Sequence, residues 1–159
     1  MSRMRGLLLL LASLPLAGCG SSAGVSSFHD GTAPGSPWQL VGAGIPARGA
    51  ERMPPAMANE FSVDFLVLLS NVSDGELYLD GVSIASVAGQ TTAYTFSPLR
   101  KKVDRMIEED EDIEVEFVIR INKIGQKQPG RGLPVRVVAH MRDGTGYVWN
   151  VEVPSWNLP

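Results

Sequence analysis

The feature that most restricts the fold of this chain is the period of two between residues 113 and 121, where every odd position is apolar and three of the four even positions are charged. The odd positions are all apolar and either β-branched or aromatic: Ile113, Val115, Phe117, Ile119 and Ile121. A period of two places successive side chains on opposite faces of a strand, and such residues favour strands. The segment therefore predicts a central core strand, with Glu114, Glu116 and Arg120 facing solvent.

The same period recurs in residues 60–69, 91–96, 135–141 and 147–153. The sequence Asp-Gly-Thr-Gly at 143–146 separates the last two segments and predicts a hairpin. A three-residue loop with a glycine bulge would place Trp149 opposite Ala139, and we favour it. A two- or four-residue loop would instead place Trp149 opposite His140. Tyr147 and Trp149 would then form an aromatic and cationic surface patch suited to a ligand.

Two shorter segments carry specific local signals. In Leu77–Ile84 an Asp-Gly pair stands between apolar residues that match across it, which predicts a hairpin with a two-residue turn. Ser97 and Pro98 are suited to the start of a helix. Leu99, Val103 and Met106 would then form one buried stripe of a short helix, although its charges oppose the helix dipole.

The N-terminal segment has the features of an export signal. Two arginines precede an apolar run at residues 6–18, which is too short to cross a bilayer as a mature helix. Leu16-Ala17-Gly18-Cys19 resembles the lipobox of bacterial lipoproteins. The resemblance implies cleavage before Cys19 and attachment of a diacylglyceryl thioether to its sulfur. Residue 20 is Gly rather than Asp, which implies the outer membrane if the host is Gram-negative.

Composition divides the chain into three predicted regions. Residues 1–18 are the signal peptide, and residues 19–59 are a lipidated N-terminus with a tether rich in Gly, Ser, Ala and Pro. An apolar patch at Trp38–Val41 interrupts the tether and is expected to dock on the domain as an added strand. Residues 60–159 form the domain.

About seven short strands separated by turn signals predict an all-β antiparallel sandwich with one short helix. The segments FSVDFLVLLSNVSD and LYLDGVSIAS resemble parts of the immunoglobulin-like modules of bacterial lipoproteins. The first also resembles, more loosely, the late-embryogenesis-abundant type 2 domain. These resemblances imply an immunoglobulin-like fold and no activity.

The residues that could carry chemistry form no catalytic set. The acidic run at residues 108–112 and the acidic residue that follows it offer Asp110, Asp112 and Glu114 as weak metal candidates, but no glycine follows at the position where a calcium loop turns. We interpret the run chiefly as a solvated strand entry that discourages edge pairing. His140 is expected on the surface or in a salt link. Neither a zinc set nor a catalytic motif is present, so no enzyme activity and no cofactor are predicted.

Net charge and loop composition limit the partners. Loss of residues 1–18 removes two arginines and no acids, so the formal charge of −3 becomes about −5, which does not favour nucleic acid. The candidate partner-binding residues are Lys123, Lys127, Arg131, Tyr147 and Trp149. The sequence thus predicts a lipid-anchored, non-enzymatic binding or scaffolding protein with an envelope protein partner. The alternatives are a solute- or metal-binding lipoprotein and, more remotely, a hydrolase built on a sandwich.

Overall fold

The described part of the chain consists of β-strands in two sheets. The computed structural model describes residues 27–46, 60–87, 94–123 and 132–153. Its nine strands are β1 Ser27–Asp30, β2 Trp38–Gly44, β3 Glu60–Asn71, β4 Leu77–Ser86, β5 Tyr94–Phe96, β6 Leu99–Ile107, β7 Asp112–Lys123, β8 Leu133–Met141 and β9 Thr145–Val153. Within these ranges there is no helix, so the all-β class is confirmed and the predicted helix is wrong.

The strands form a five-stranded sheet, in the order β1-β9-β8-β4-β6, and a four-stranded sheet, in the order β2-β3-β7-β5. β1 runs parallel to β9, whereas the other pairs are antiparallel. One of the two sheets curls like a half-barrel. The prediction of about seven strands, all antiparallel, is therefore wrong in number and in the orientation of β1.

The core lies between the two sheets and follows the period-two pattern. β3 and β7 pair antiparallel, with Phe65 opposite Phe117, and these side chains are 0% and 6% exposed. The odd positions of β7 from 113 to 121 are buried, while Glu114, Glu116 and Arg120 are exposed. This confirms the predicted interior strand and its two faces.

The predicted helix at residues 97–106 is replaced by strand β6. β6 pairs antiparallel with β4, and Leu99 lies opposite Ile84. Leu99 and Met106, expected in the core, are 36% and 45% exposed, whereas Val103 packs partly against the core. A helix here would have carried basic residues at its positive end. Pairing with β4 gives the backbone N–H and C=O groups of this segment hydrogen-bond partners without placing basic side chains at the positive end of a helix dipole.

The predicted hairpin at Leu77–Ile84 is also wrong, because these residues form one continuous strand. The register of β4 shifts between Leu79 and Gly81 against both of its neighbours. A Cβ atom on Gly81 would come within 2.7 Å of the Lys101 carbonyl oxygen. The Asp-Gly pair therefore forms a β-bulge, where a glycine permits the close approach of the next strand.

The hairpin between β8 and β9 has the predicted three-residue turn, at residues 142–144. Gly144 has a φ of 86° and donates its N–H to the Met141 carbonyl at 3.2 Å. Trp149 lies opposite Val137 rather than the predicted Ala139. Val137 and Ala139 are two residues apart on β8, so their side chains lie on the same face of the sheet. The choice of face is confirmed, and Trp149 is 4% exposed.

The domain begins earlier than the composition predicts. β1 and β2 lie within the predicted tether of residues 19–59, yet β1 pairs with β9 and β2 pairs with β3. The predicted docking of Trp38–Val41 is confirmed: Trp38 is 1% exposed and its indole N–H points to the Met141 sulfur at 3.1 Å. Burial of this large apolar side chain stabilises β2 in the sheet, although the segment shows little apolar periodicity.

Asn71, at the end of β3, is a buried polar residue that joins separate parts of the chain. Its side-chain amide group donates to the carbonyls of Gly75, Ile107 and Glu108 at 2.8, 3.1 and 2.9 Å. Its side-chain oxygen accepts the backbone N–H of Ser73 at 3.0 Å. Asn71 therefore connects the turn after β3 to the turn between β6 and β7.

Candidate functional site

The one histidine in the β8 strand is buried rather than exposed. His140 is 8% exposed, and its Nε2 atom lies 2.7 Å from the Ser83 hydroxyl oxygen. Burial and the nearby Arg100 lower the pKa of His140, while Asp80 opposes the shift. Its Nδ1 atom has no hydrogen-bond partner among the described residues. The predicted surface position is therefore wrong, and the Ser–His pair lacks the third group that orients the base in hydrolytic triads.

The acidic run does not form one continuous strand face. Asp110 lies in the turn before β7, with a φ of 58°, while Asp112 and Glu114 lie on β7. The carboxylate of Glu111 accepts from Arg105 at 2.7 Å and from the Glu108 backbone N–H at 2.9 Å. The part of the chain that the structure describes contains no group of three acidic, histidine or cysteine side chains placed to hold a metal ion.

The predicted partner-binding residues do not assemble into one described site. Tyr147 is half-buried and stacks on His29 with ring centroids 5.6 Å apart. Trp149 packs in the core, where a Cβ atom on Gly31 would overlap its indole. Lys123 ends β7, whereas Lys127, Arg131 and the predicted lipidation site, Cys19, lie outside the described residues.

An apolar groove instead appears on the outer face of the four-stranded sheet. Leu66 and Leu68 on β3 are half-buried there, and their neighbours on β2 are Gly44 and Gly42. A Cβ atom on either glycine would meet no atom within 4 Å, so no side chain of the described residues covers the two leucines from that side. The groove has a volume of about 240 Å³, and its remaining lining residues are Ala43, Ile45 and Pro46.

Acidic residues border this groove on the neighbouring strand. Glu116 lies opposite Leu66 and Glu114 lies opposite Leu68. Neither carboxylate forms an ion pair with a described residue, unlike Glu60, which pairs with Arg120. The leucines and their carboxylate neighbours thus present adjacent apolar and negatively charged surface.

One further apolar side chain extends the surface. Val118 is 69% exposed on β7, opposite Asp64. We refer to Gly42, Gly44, Leu66, Leu68 and Val118, with Asp64, Glu114 and Glu116, as the outer groove face.

Sequence reasoning missed this surface because it followed only the buried face of each strand. The available signal is a set of three exceptions to the alternation, since Leu66, Leu68 and Val118 are apolar at positions where a half-buried strand carries polar residues. The glycines of β2 fall within the predicted tether, so the sequence does not predict their position beside the leucines. Exposed apolar residues that cluster across paired strands mark interaction surfaces more often than scattered ones do.

Comparisons with known proteins identify no relative by sequence. No protein-family model matches the chain, and no curated protein matches it. Solved structures that match in part include a GH20 exo-β-N-acetylglucosaminidase from Vibrio harveyi in complex with N-acetylglucosamine, at 11% identity and a TM-score of 0.36. An inactive mutant of that enzyme matches at 12% identity and a TM-score of 0.36. Each match covers 74% of this chain and 18% of the enzyme chain.

The described ranges contain no helical segment of the length and apolarity that crossing a bilayer requires.

Proposed function

We propose that this protein is a lipid-anchored envelope protein that holds a protein partner at a bacterial membrane and performs no catalysis. The observation that carries the proposal is Leu16-Ala17-Gly18-Cys19 directly after a short apolar run. Cleavage before Cys19 and acylation of its sulfur would fix the mature N-terminus in the membrane. The two-sheet domain would then serve as the immunoglobulin-like module that presents a binding surface, in the outer membrane if the host is Gram-negative.

The anchor is tested by replacing the acylated atom. Cys19→Ser should abolish incorporation of labelled palmitate and move the protein from the detergent phase to the aqueous phase, or leave an uncleaved precursor. Unchanged partitioning of the variant into detergent would contradict the proposal.

The outer groove face is the surface that best suits a partner. Leu66 and Leu68 offer apolar contact, and the glycines of β2 leave room for side chains of another chain. The carboxylates beside them, which form no ion pair with a described residue, favour Lys or Arg on the partner, because charge complementarity selects partners and speeds association. The expected partner segment therefore combines apolar and basic side chains.

Blocking the groove tests this assignment. A photo-crosslinking residue at Val118 should give one discrete adduct in intact cells, and Gly42→Gln should reduce its yield at least about tenfold, since a loss of about 1.4 kcal/mol of binding has that effect. Gly75→Gln is the matched control, because a Cβ atom there also meets open space and Gly75 does not line the groove. Equal yields from the two glycine variants would contradict the assignment.

A further inference from the structure

The edge strand β1 exposes an aromatic side chain on the outer face of the five-stranded sheet. Phe28 is 62% exposed. It lines a groove of about 430 Å³ together with Val148 and Asn150 of the neighbouring strand β9 and with the polar residues His29, Asp30 and Thr32. No described strand pairs with the other side of β1. An exposed phenylalanine at a strand edge suggests contact with an apolar surface.

The distance along the chain places this edge close to the proposed anchor. Eight residue steps separate Cys19 from Ser27, the first residue of β1. A fully extended chain spans at most about 3.6 Å per residue, so Ser27 can lie no more than about 29 Å from the acylated cysteine. The tether proposed from composition would have allowed a far larger separation. β1 is thus the described element nearest to the membrane along the chain.

The charged groups of the two outer faces differ in how they are paired. On the four-stranded sheet, the exposed Asp64, Glu114 and Glu116 have no ion-pair partner among the described residues. On the five-stranded side, Asp30 lines the Phe28 groove and accepts from Thr32, and Glu152 on β9 accepts the Gly132 backbone N–H at 3.0 Å. Arg136 donates to the Asn150 side-chain oxygen at 3.3 Å, and the Arg142 guanidinium lies 4.7 Å from the centre of the Tyr78 ring. An anionic lipid surface attracts such arginines and repels the unpaired carboxylates.

We infer that the bilayer surface itself is the occupant of the Phe28 edge. With Cys19 acylated, Phe28 enters the lipid interface and the acidic outer groove face is turned toward solvent, where a partner can reach it. One phenylalanine is too small a contact to bind membranes alone. The anchor raises the effective concentration of the edge at the surface, so a weak contact is enough to orient the domain. This inference rests on the proposed function, since it requires the lipid on Cys19.

Site-specific labelling of the full-length acylated protein tests the inference. Because Cys19 is the only cysteine of the chain and its sulfur is acylated, Phe28→Cys introduces the one free thiol. Val118→Cys is the matched control, since Val118 is similarly exposed, at 69%, but lies on the other sheet. Each variant is labelled with an environment-sensitive nitrobenzoxadiazole dye and reconstituted into vesicles of phosphatidylethanolamine and phosphatidylglycerol.

The expected result is a blue-shifted emission and a several-fold gain in intensity at position 28, with quenching by nitroxide lipids. The dye at position 118 should keep its aqueous spectrum and resist quenching. Acylated protein in which both dyes stay in water, or both enter the lipid, would overturn the inference and leave the anchor intact. A protein that takes up no labelled palmitate would overturn the proposed function itself, so the two failures are distinguishable.

Discussion

Removal of the Asn71 side chain should destabilise the domain more than any neighbouring polar substitution. Asn71 is fully buried, and its side-chain amide group donates hydrogen bonds to the carbonyls of Gly75, Ile107 and Glu108. The group carries only two hydrogens, so it makes the equivalent of two full hydrogen bonds shared among three acceptors. Asn71→Ala removes this donor from the Ile107 and Glu108 carbonyls, while the Gly75 carbonyl keeps the Ser73 hydroxyl.

The magnitude follows from the number of groups left unsatisfied. A buried polar group that loses its partner costs about 1–3 kcal/mol, and an ordinary hydrogen bond contributes about 0.5–1.5 kcal/mol. Two lost amide donors and one lost acceptor for Ser73 therefore give about 3–5 kcal/mol. That loss is a large part of the roughly 5–15 kcal/mol that holds a typical domain together.

Urea denaturation of residues 20–159, which include all described strands, measures the effect as a change in midpoint at constant slope. Ser73→Ala is the control, because it removes only the hydroxyl contacts to the Asn71 side-chain oxygen and the Gly75 carbonyl. It should cost about 0.5–1.5 kcal/mol. If Asn71→Ala proves no more damaging than Ser73→Ala, the buried amide does not join the turns as we argue.

The isosteric change Asn71→Asp sharpens the test through its pH dependence. It keeps the acceptor for Ser73 but places a carboxylate oxygen against carbonyl oxygens, which raises the pKa of the introduced acid in the folded state. A group whose pKa is raised on folding lowers stability as pH rises through that pKa. The variant should therefore be weakest near neutral pH and recover part of the loss, relative to the unsubstituted chain, as pH falls toward 4.

Further predictions concern the core, calcium and pH. Phe117→Ala should cost about 3–5 kcal/mol by denaturation, and Glu116→Gln under about 0.5 kcal/mol; the reverse order would invert the two faces of β7. Millimolar calcium should leave the melting temperature nearly unchanged, and a rise of several degrees in calorimetry would imply a real site. Since burial lowers the pKa of His140, stability should decline as pH falls below about 6.5, the usual histidine value. His140→Gln should flatten that decline, and an unchanged pH profile would show that His140 does not cause it.

The strands with long, uninterrupted alternation could be predicted from sequence. β3 and β7 each bury one complete face, and burial of alternate positions is a constraint that a helix cannot satisfy. The same reasoning chose the correct face for Trp149, because a shift of the register by two residues preserves the face whereas a shift by one would reverse it.

Segments whose structure depends on a distant partner could not be predicted. The signals of β6 for a helix were local, whereas its strand conformation depends on pairing with β4, where Leu77 meets Ile107. The Asp-Gly pair in β4 fits a tight turn and a bulge equally well. The choice depends on Lys101, whose backbone passes too close to Gly81 for a side chain. The cysteine anchor remains a sequence prediction.

β2, at one edge of the four-stranded sheet, and β6, at one edge of the five-stranded sheet, differ in how they resist unwanted pairing. This difference favours β2 as the edge that a partner meets. β6 carries several charged residues, and the Lys101 side chain crosses to donate to the Glu116 carbonyl at 3.0 Å. Charges and covering side chains of this kind block the addition of another strand. β2, Trp38–Gly44, contains no charged residue and is interrupted only by a register shift at Val41, which is 50% exposed. A partner that fills the groove beside Leu66 and Leu68 can therefore also pair with the edge of β2 that no described strand occupies. It would gain backbone hydrogen bonds in addition to apolar contact.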